Sequence, residues 1–208
     1  MQKLIIILVL FATSLTNAQG NYEKGMQKAF EFWGNNETVE ASNLFERIAA
    51  AEPDNWLPPY YAAQINIVKS FGETNEETIT ENLKKAQDLI NDATAISKNN
   101  PEILVLQALL DTAWVAYDGA TYGPTLAAKV ASTYGKAEQL DPSNPRVVFG
   151  KAEWGMGSAR YFGQDIRPFC KDIERSIELF ANFKPETSFH PNWGKERAEQ
   201  VFAETCKE

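Results

Sequence analysis

Prolines that stand between stretches of helical spacing are the sequence feature that most constrains the fold. Residues 140–145 read Leu-Asp-Pro-Ser-Asn-Pro and separate two stretches in which apolar residues recur every three or four positions. Proline cannot continue the hydrogen bonding of a helix, so it ends one element and allows another to begin. Pro53 and Pro101 punctuate the chain in the same way. The pattern predicts helical hairpins that follow one another closely.

Apolar spacing predicts about nine helices and no strand of comparable strength. A clear helical stripe comprises Leu83, Ala86, Ile90 and Ala93. The stretch from Ile103 to Val115 is apolar on nearly every side, which is typical of a helix enclosed by its neighbours. Because short connections favour antiparallel neighbours, we predict an all-α fold of stacked antiparallel helical hairpins.

The turn at residues 140–145 resembles the end of a tetratricopeptide repeat (TPR), a roughly 34-residue helix-turn-helix unit. Residues 50–55 and 98–102 carry weaker versions of this turn. The resemblance covers most of residues 22–183 and implies an α-solenoid, in which stacked hairpins share one core. The boundary prolines are further apart than in the family, so the repeats are degenerate. A generic α-helical bundle with proline-ended helices is the alternative.

The first eighteen residues have the pattern of a secretory signal peptide. Lys3 supplies a positive start, residues 4–12 are an unbroken apolar run, and small residues precede a cut after Ala18. The run is shorter than the roughly 20 residues that span a bilayer, and an uncleaved anchor is the alternative. We predict a signal peptide at residues 1–18 and a single TPR-like domain at residues 19–208, whose last helix caps the repeats.

The acidic balance of the chain limits its partners and, with the signal peptide, its location. The formal net charge is −8, which argues against nucleic acid, because nucleic acid attracts clustered Lys and Arg. The chain has no other long apolar run, so we expect no membrane span after signal cleavage. We predict a soluble, exported protein that is periplasmic or secreted, and the sequence does not distinguish these two locations.

The two cysteines fall at equal distances from a predicted loop at residues 184–192. If the helices on either side form an antiparallel hairpin, Cys170 and Cys206 lie beside each other. An exported chain is in a compartment that permits disulfides. We predict a bond that clamps the C-terminal hairpin, and two buried, unpaired thiols are the alternative.

The sequence contains no recognisable catalytic or metal-binding constellation. His190 is the only histidine, and a nucleophilic pair with Cys170 is disfavoured because Cys170 lies inside a helical pattern without an apparent oxyanion-hole loop. Zinc needs several Cys or His ligands at suitable spacing, which this chain cannot supply. We therefore expect a protein that is not an enzyme and that holds no metal or cofactor.

The resemblance implies that the first helix of each hairpin lines a concave groove in which peptides usually bind. The register is carried over from the small residues Ala63 and Ala152. The groove-facing candidates are Trp33, Tyr60, Gln64 and Glu153. Aromatic residues among them are expected to act as anchors, as in other interfaces.

These observations favour an exported helical-repeat scaffold that binds a protein or peptide in the cell envelope. The alternative is a small-ligand module whose aromatic groove holds a glycan or a lipid. A defined, ligand-sized pocket would favour the second hypothesis, whereas an open groove would favour the first.

Overall fold

The computed structural model of the protein describes residues 20–207. This range consists of nine α-helices and one short 3-10 helix, without a strand. The all-α prediction is therefore confirmed for the described range. The predicted signal peptide at residues 1–18 lies outside it.

The helices follow one another with short connections, as the prolines predict. Their bounds are α1 at residues 20–34, α2 Thr38–Ala51, α3 Leu57–Ser70, α4 Glu76–Ile96, α5 Pro101–Tyr117, α6 Gly119–Leu140, α7 Pro145–Tyr161, α8 Cys170–Asn182 and α9 Lys195–Thr205. From α2 to α9, each helix contacts the next, and α5 also contacts both α3 and α7. The odd-numbered helices α1, α3, α5 and α7 thus share one side of the stack, which we call the inner face.

The residues around the prolines explain why the helices begin where they do. Pro101 and Pro145 each occupy the first turn, and the preceding Asn is the N-cap. The Oδ1 atoms of Asn100 and Asn144 accept hydrogen bonds, both 2.9 Å long, from the backbone N–H two residues later. These caps satisfy donors that the first helical turn leaves free. Each asparagine therefore caps the helix whose first turn contains the proline.

Helix α3 is the most enclosed element, although the sequence favours α5 for that place. Every residue of α3 except Val68 and Lys69 is buried. Its polar Asn66 is satisfied inside the core, where its Nδ2 donates to the Oγ of Ser42 at 3.1 Å. The chain segment between α8 and α9 covers the remaining side of α3, and this segment is far away in sequence.

Residues 183–194, here called the return segment, run back from α8 across the inner face. The Tyr61 hydroxyl donates to the backbone carbonyl of Phe189 at 2.6 Å. The indole Nε1 of Trp193 donates to the hydroxyl of Tyr60 at 2.9 Å. The Phe189 ring also packs against Phe30 of α1, with ring centroids 6.1 Å apart. The inner face of the first two hairpins is therefore covered by the chain's own C-terminal part.

Candidate functional site

The predicted peptide groove corresponds to the inner face, and the return segment fills it. Tyr60 has no exposed surface and Gln64 is 5% exposed. The prediction that these two side chains are open to a partner is wrong. The helical register is not the cause of the error. The cause is the return segment, whose contacts with Tyr60 and Tyr61 span more than half of the chain.

A buried ion pair lies under the return segment and joins α5 to α7. The Nε and Nη2 atoms of Arg146 each donate to one carboxylate oxygen of Glu102 at 2.6 Å. Asn144 donates to the same carboxylate at 2.6 Å. The Phe183 ring covers the guanidinium, with its centroid 4.4 Å away. The two parallel hydrogen bonds offset the free-energy cost of removing both charges from water.

The tyrosines above this pair remain protonated because of their surroundings. Burial raises the pKa of Tyr60, and the nearby Glu102 charge raises it further. Burial also raises the pKa of Tyr61, although the Arg146 charge opposes the shift. Both phenols therefore act as neutral hydrogen-bonding groups toward the return segment. The arrangement positions the segment and has no nucleophile with an adjacent base.

An open cavity of about 550 Å³ lies at the end of the inner face that the return segment does not cover. We call it the end cavity. It is formed by the end of α1, the turn to α2, and the end of α3 with the following turn. Its lining residues are Trp33, Asn36, Thr38, Ile65, Val68, Lys69, Gly72 and Glu73.

The end cavity combines an apolar wall with one positive charge, on Lys69, and one negative charge, on Glu73. Val68 is 50% exposed, and Phe71, between two lining residues, is 49% exposed. The Lys69 ammonium has no ion-pair partner within residues 20–207. The Glu73 carboxylate accepts backbone hydrogen bonds from Asn75 and Thr74, which lower its pKa. The Lys69 charge also lowers the pKa of Glu73, but the two groups form no close ion pair, so the ammonium can contact an anionic group of a ligand.

The four groove candidates do not come together. Trp33 lines the end cavity, whereas Tyr60 lies beneath the return segment and Gln64 is buried within α3. Glu153 is half-buried and accepts a hydrogen bond from the Nε of Arg197 of α9 at 2.9 Å. Glu153 therefore contacts α9 while part of its side chain stays exposed, and its role toward a partner remains a prediction.

Sequence analysis missed Ile65, Val68 and Lys69 as cavity residues. Val68 is the last apolar residue of its helical stripe before the break at Phe71, as Trp33 is before the break at Gly34. Val68 and Trp33 thus both lie at the ends of stacked helices, and this shared position could have indicated that they line one cavity.

Cys170 and Cys206 are joined by a disulfide, with Cα atoms 5.6 Å apart. The bond connects the first residue of α8 to the residue that follows α9. It closes the C-terminal hairpin that carries the return segment, which is the arrangement the position of the loop predicts.

The part of the chain that the structure describes contains neither a group of metal ligands nor a membrane-spanning helix. Among residues 20–207, no three His, Cys, Asp or Glu side chains are grouped to hold a metal ion. None of the helices described is long and apolar enough to cross a membrane.

Comparison with known proteins identifies the fold. The sequence matches no protein-family model and no curated protein sequence. The structure is similar to that of the HusA haemophore from Porphyromonas gingivalis, with a TM-score of 0.75, 24% identity, and coverage of 90% of this chain and 96% of that one. It is also similar to a TPR protein of Thermus thermophilus, with a TM-score of 0.57, 14% identity, and coverage of 84% and 78%. The chain therefore has a TPR-like fold, an α-solenoid of stacked helical hairpins.

Proposed function

We propose that the protein is an exported binding protein whose ligand is a porphyrin held in the end cavity. The proposal rests on one observation: the inner face is divided into a part that the return segment covers and a part that stays open. The return segment fills the part that would take a peptide, and the end cavity stays open. A volume of about 550 Å³ lies within the roughly 300–1,000 Å³ of small-molecule sites. Similarity to a haemophore supports the choice of a porphyrin.

The lining suits a flat apolar ring that carries carboxylates. The Trp33 indole and the side chain of Val68 would contact the faces of the ring. The Lys69 ammonium would pair with a carboxylate at its edge. None of the residues described as lining the cavity is His, Met, Cys or Tyr, so affinity would come from the ring and its carboxylates. Haem and an iron-free porphyrin should therefore both bind.

Titration of the full chain with haem and with iron-free protoporphyrin tests the proposal. Binding is read from ligand absorbance and from quenching of tryptophan fluorescence. We expect Val68→Glu to weaken binding of both ligands by at least about tenfold, because a carboxylate would be placed against the ring. Lys69→Glu should weaken binding by roughly tenfold, because it replaces attraction by repulsion.

Two surface variants of similar chemistry are the matched controls. Lys84→Glu makes the same charge change on α4, and Ile96→Glu places a carboxylate at another exposed apolar position. Neither should change affinity. Equal affinities for all five proteins, or no binding by wild type, would refute the end cavity as a porphyrin site.

A second candidate function is the binding of a protein or peptide in the cell envelope. It is favoured by Tyr161 and Phe162, which are 79% and 71% exposed at the end of α7. Large exposed apolar side chains that adjoin one another often mark interaction surfaces. Cross-linking in intact cells with wild type and with Tyr161→Ser/Phe162→Ser tests it. A partner captured equally by both proteins would argue against this surface.

Export and domain organisation belong to the same proposal. We propose that residues 1–18 are removed on export to a periplasm or to the exterior, and that residues 19–208 act as one non-enzymatic domain capped by α9. Mass spectrometry of the protein recovered from cell fractions tests both the cut after Ala18 and the location. An intact N-terminus in the cytoplasmic fraction would refute export.

A further inference from the structure

The return segment makes the contacts with the inner face that a bound peptide would make. Its Phe189 side chain is 9% exposed, and the ring lies edge-on to Tyr22, with centroids 5.7 Å apart. Its backbone carbonyl at the same residue accepts the Tyr61 hydroxyl. The inner face thus already holds an occupant that belongs to the same chain.

The return segment is held at both of its ends by helices, and a disulfide joins those two helices to each other. The return segment joins α8 to α9, and the Cys170–Cys206 disulfide connects the outer ends of those helices. The ring that the disulfide closes therefore contains the whole segment. While the ring is closed, the segment cannot leave unless α8 or α9 moves with it.

Without the disulfide, only a few contacts would keep α9 packed against the rest of the protein. Its eleven residues include two buried ones, Ala198 and Val201. Its ion pair from Arg197 to Glu153 is partly exposed to solvent, and such pairs contribute little to stability. By contrast, α8 buries Ile173, Ser176 and Phe180, and it contacts α7 as well as α9, with which it shares one apolar cluster. Elements with few buried contacts are the ones that open locally, so α9 would open first.

Opening the segment would leave no isolated buried charge. Glu102 belongs to α5, and its partners Arg146 and Asn144 belong to α7 and the turn before it. The hydrogen bonds among Glu102, Arg146 and Asn144 stay complete when the segment leaves. The segment takes with it the Phe183 ring over the guanidinium and His190, whose Nε2 lies 3.8 Å from the Glu102 carboxylate, and water can replace these contacts and the hydrogen bonds of Tyr60 and Tyr61. The largest electrostatic penalty of such an opening is therefore absent.

We propose that the Cys170–Cys206 disulfide is a latch that keeps the inner face occupied by the return segment. A dithiol reductant supplies two electrons and two protons, the S–S bond breaks, two thiols form, and the reductant becomes a disulfide. Release of α9 and the return segment then exposes the inner face to an extended peptide with aromatic side chains. This inference does not depend on the end cavity.

Hydrogen exchange of the full chain, oxidised and after treatment with dithiothreitol, tests the latch. The variant Cys170→Ser/Cys206→Ser is measured alongside, so that the result does not rest on thiol chemistry alone. We expect exchange at residues 183–205 to become at least about tenfold faster in the open forms, whereas exchange within α4 and α6 is unchanged. Unchanged protection of residues 183–205, or equal acceleration along the whole chain, would overturn the proposal.

A labelled peptide with the sequence of residues 183–194 tests whether the vacated face binds an occupant. It should bind the reduced protein and the double Ser variant, and not the oxidised protein. Tyr61→Phe in the double Ser background keeps the ring and removes the hydroxyl donor, so peptide affinity should fall by about fivefold. Peptide binding that is equal in oxidised and reduced protein, or absent from both, would overturn the latch.

Discussion

At the scale of single residues, the interior holds polar groups whose satisfaction depends on distant partners. Arg146 and Glu102 are almost completely buried, yet neither belongs to a recognisable sequence motif. Their pairing could not be predicted, because charged residues in helices are usually exposed. No local signal in the sequence showed that Gln64 would be buried.

The buried ion pair predicts unequal effects of single and double substitutions. Glu102→Leu should destabilise the protein by about 3–5 kcal/mol, because it leaves the Arg146 charge buried without a partner. The double variant Glu102→Leu/Arg146→Met should recover most of that loss. Urea unfolding followed by circular dichroism measures both. A double variant less stable than Glu102→Leu alone would contradict this account.

The buried phenols predict a loss of stability in alkali. The pKa of Tyr60, Tyr61 and Tyr134 is raised by burial in the folded protein. In the unfolded chain these phenols ionise near pH 10. Their contribution is therefore complete below about pH 10 and declines as the pH rises further, because the unfolded state alone releases the protons.

Urea midpoints measured from about pH 9 to about pH 11 check this slope. Tyr134→Phe should reduce the pH dependence of the unfolding free energy by the equivalent of up to one proton, since the variant lacks one of the buried phenols. A slope that is the same in wild type and in this variant would show that Tyr134 ionises alike in both states.

At the scale of elements, helix boundaries were predictable and helix surroundings were not. Proline and asparagine act on their own turn, so the starts of α5 and α7 follow from the local sequence. Enclosure depends on what lies across the helix. Helix α5 is the more uniformly apolar, but α3 is the more enclosed, because the return segment covers it. The cysteine pairing was predictable because it required only the geometry of one hairpin.

Two adjacent asparagines at the start of α5 should respond differently to substitution. Asn100 caps the helix, so Asn100→Ala should cost about 1 kcal/mol of unfolding free energy. Asn99 has φ of 55°, a conformation that glycine adopts freely, so Asn99→Gly should be neutral or slightly stabilising. Thermal unfolding of the two variants compares them directly. Equal losses would mean that neither the cap nor the backbone angle decides stability here.

Two glycines of α7 should also respond in opposite directions. A methyl group at Gly150 would lie 2.6 Å from the Tyr134 ring, whereas nothing lies near Gly157. Gly150→Ala should therefore destabilise by about 1–3 kcal/mol through overpacking. Gly157→Ala should stabilise by about 0.5–1 kcal/mol, because alanine restricts the unfolded chain. Urea unfolding gives both values, and a stabilising Gly150→Ala would show that α6 and α7 can separate at little cost.

At the scale of the whole molecule, the fold class and hairpin order were predictable, whereas the candidate site was only partly so. Trp33, a groove candidate from the first hairpin, lines the end cavity, and its role toward a ligand stays a prediction. The end cavity itself needs Lys69 and Val68 from another helix, and their proximity depends on how hairpins stack. The return segment has no local signature, because its partners lie at the opposite end of the sequence.

A bound porphyrin should raise the stability of the whole protein. At a free ligand concentration one hundred times the dissociation constant, the gain is about 2.7 kcal/mol for one site. Urea unfolding with and without iron-free protoporphyrin measures it, and Val68→Glu should show a much smaller gain under the same conditions. An equal gain in both proteins would place the ligand elsewhere.

The return segment also has a consequence for the timing of folding. Its contacts reach from Phe189 to Tyr22 and Phe30, so they form only after nearly the entire chain has been synthesised. Contacts of such long sequence separation are slow to form. Until then the aromatic side chains of α1 and α3 lack their cover, and such surfaces favour association between incomplete chains. Synthesis is therefore the stage at which this protein most needs to be kept from its neighbours.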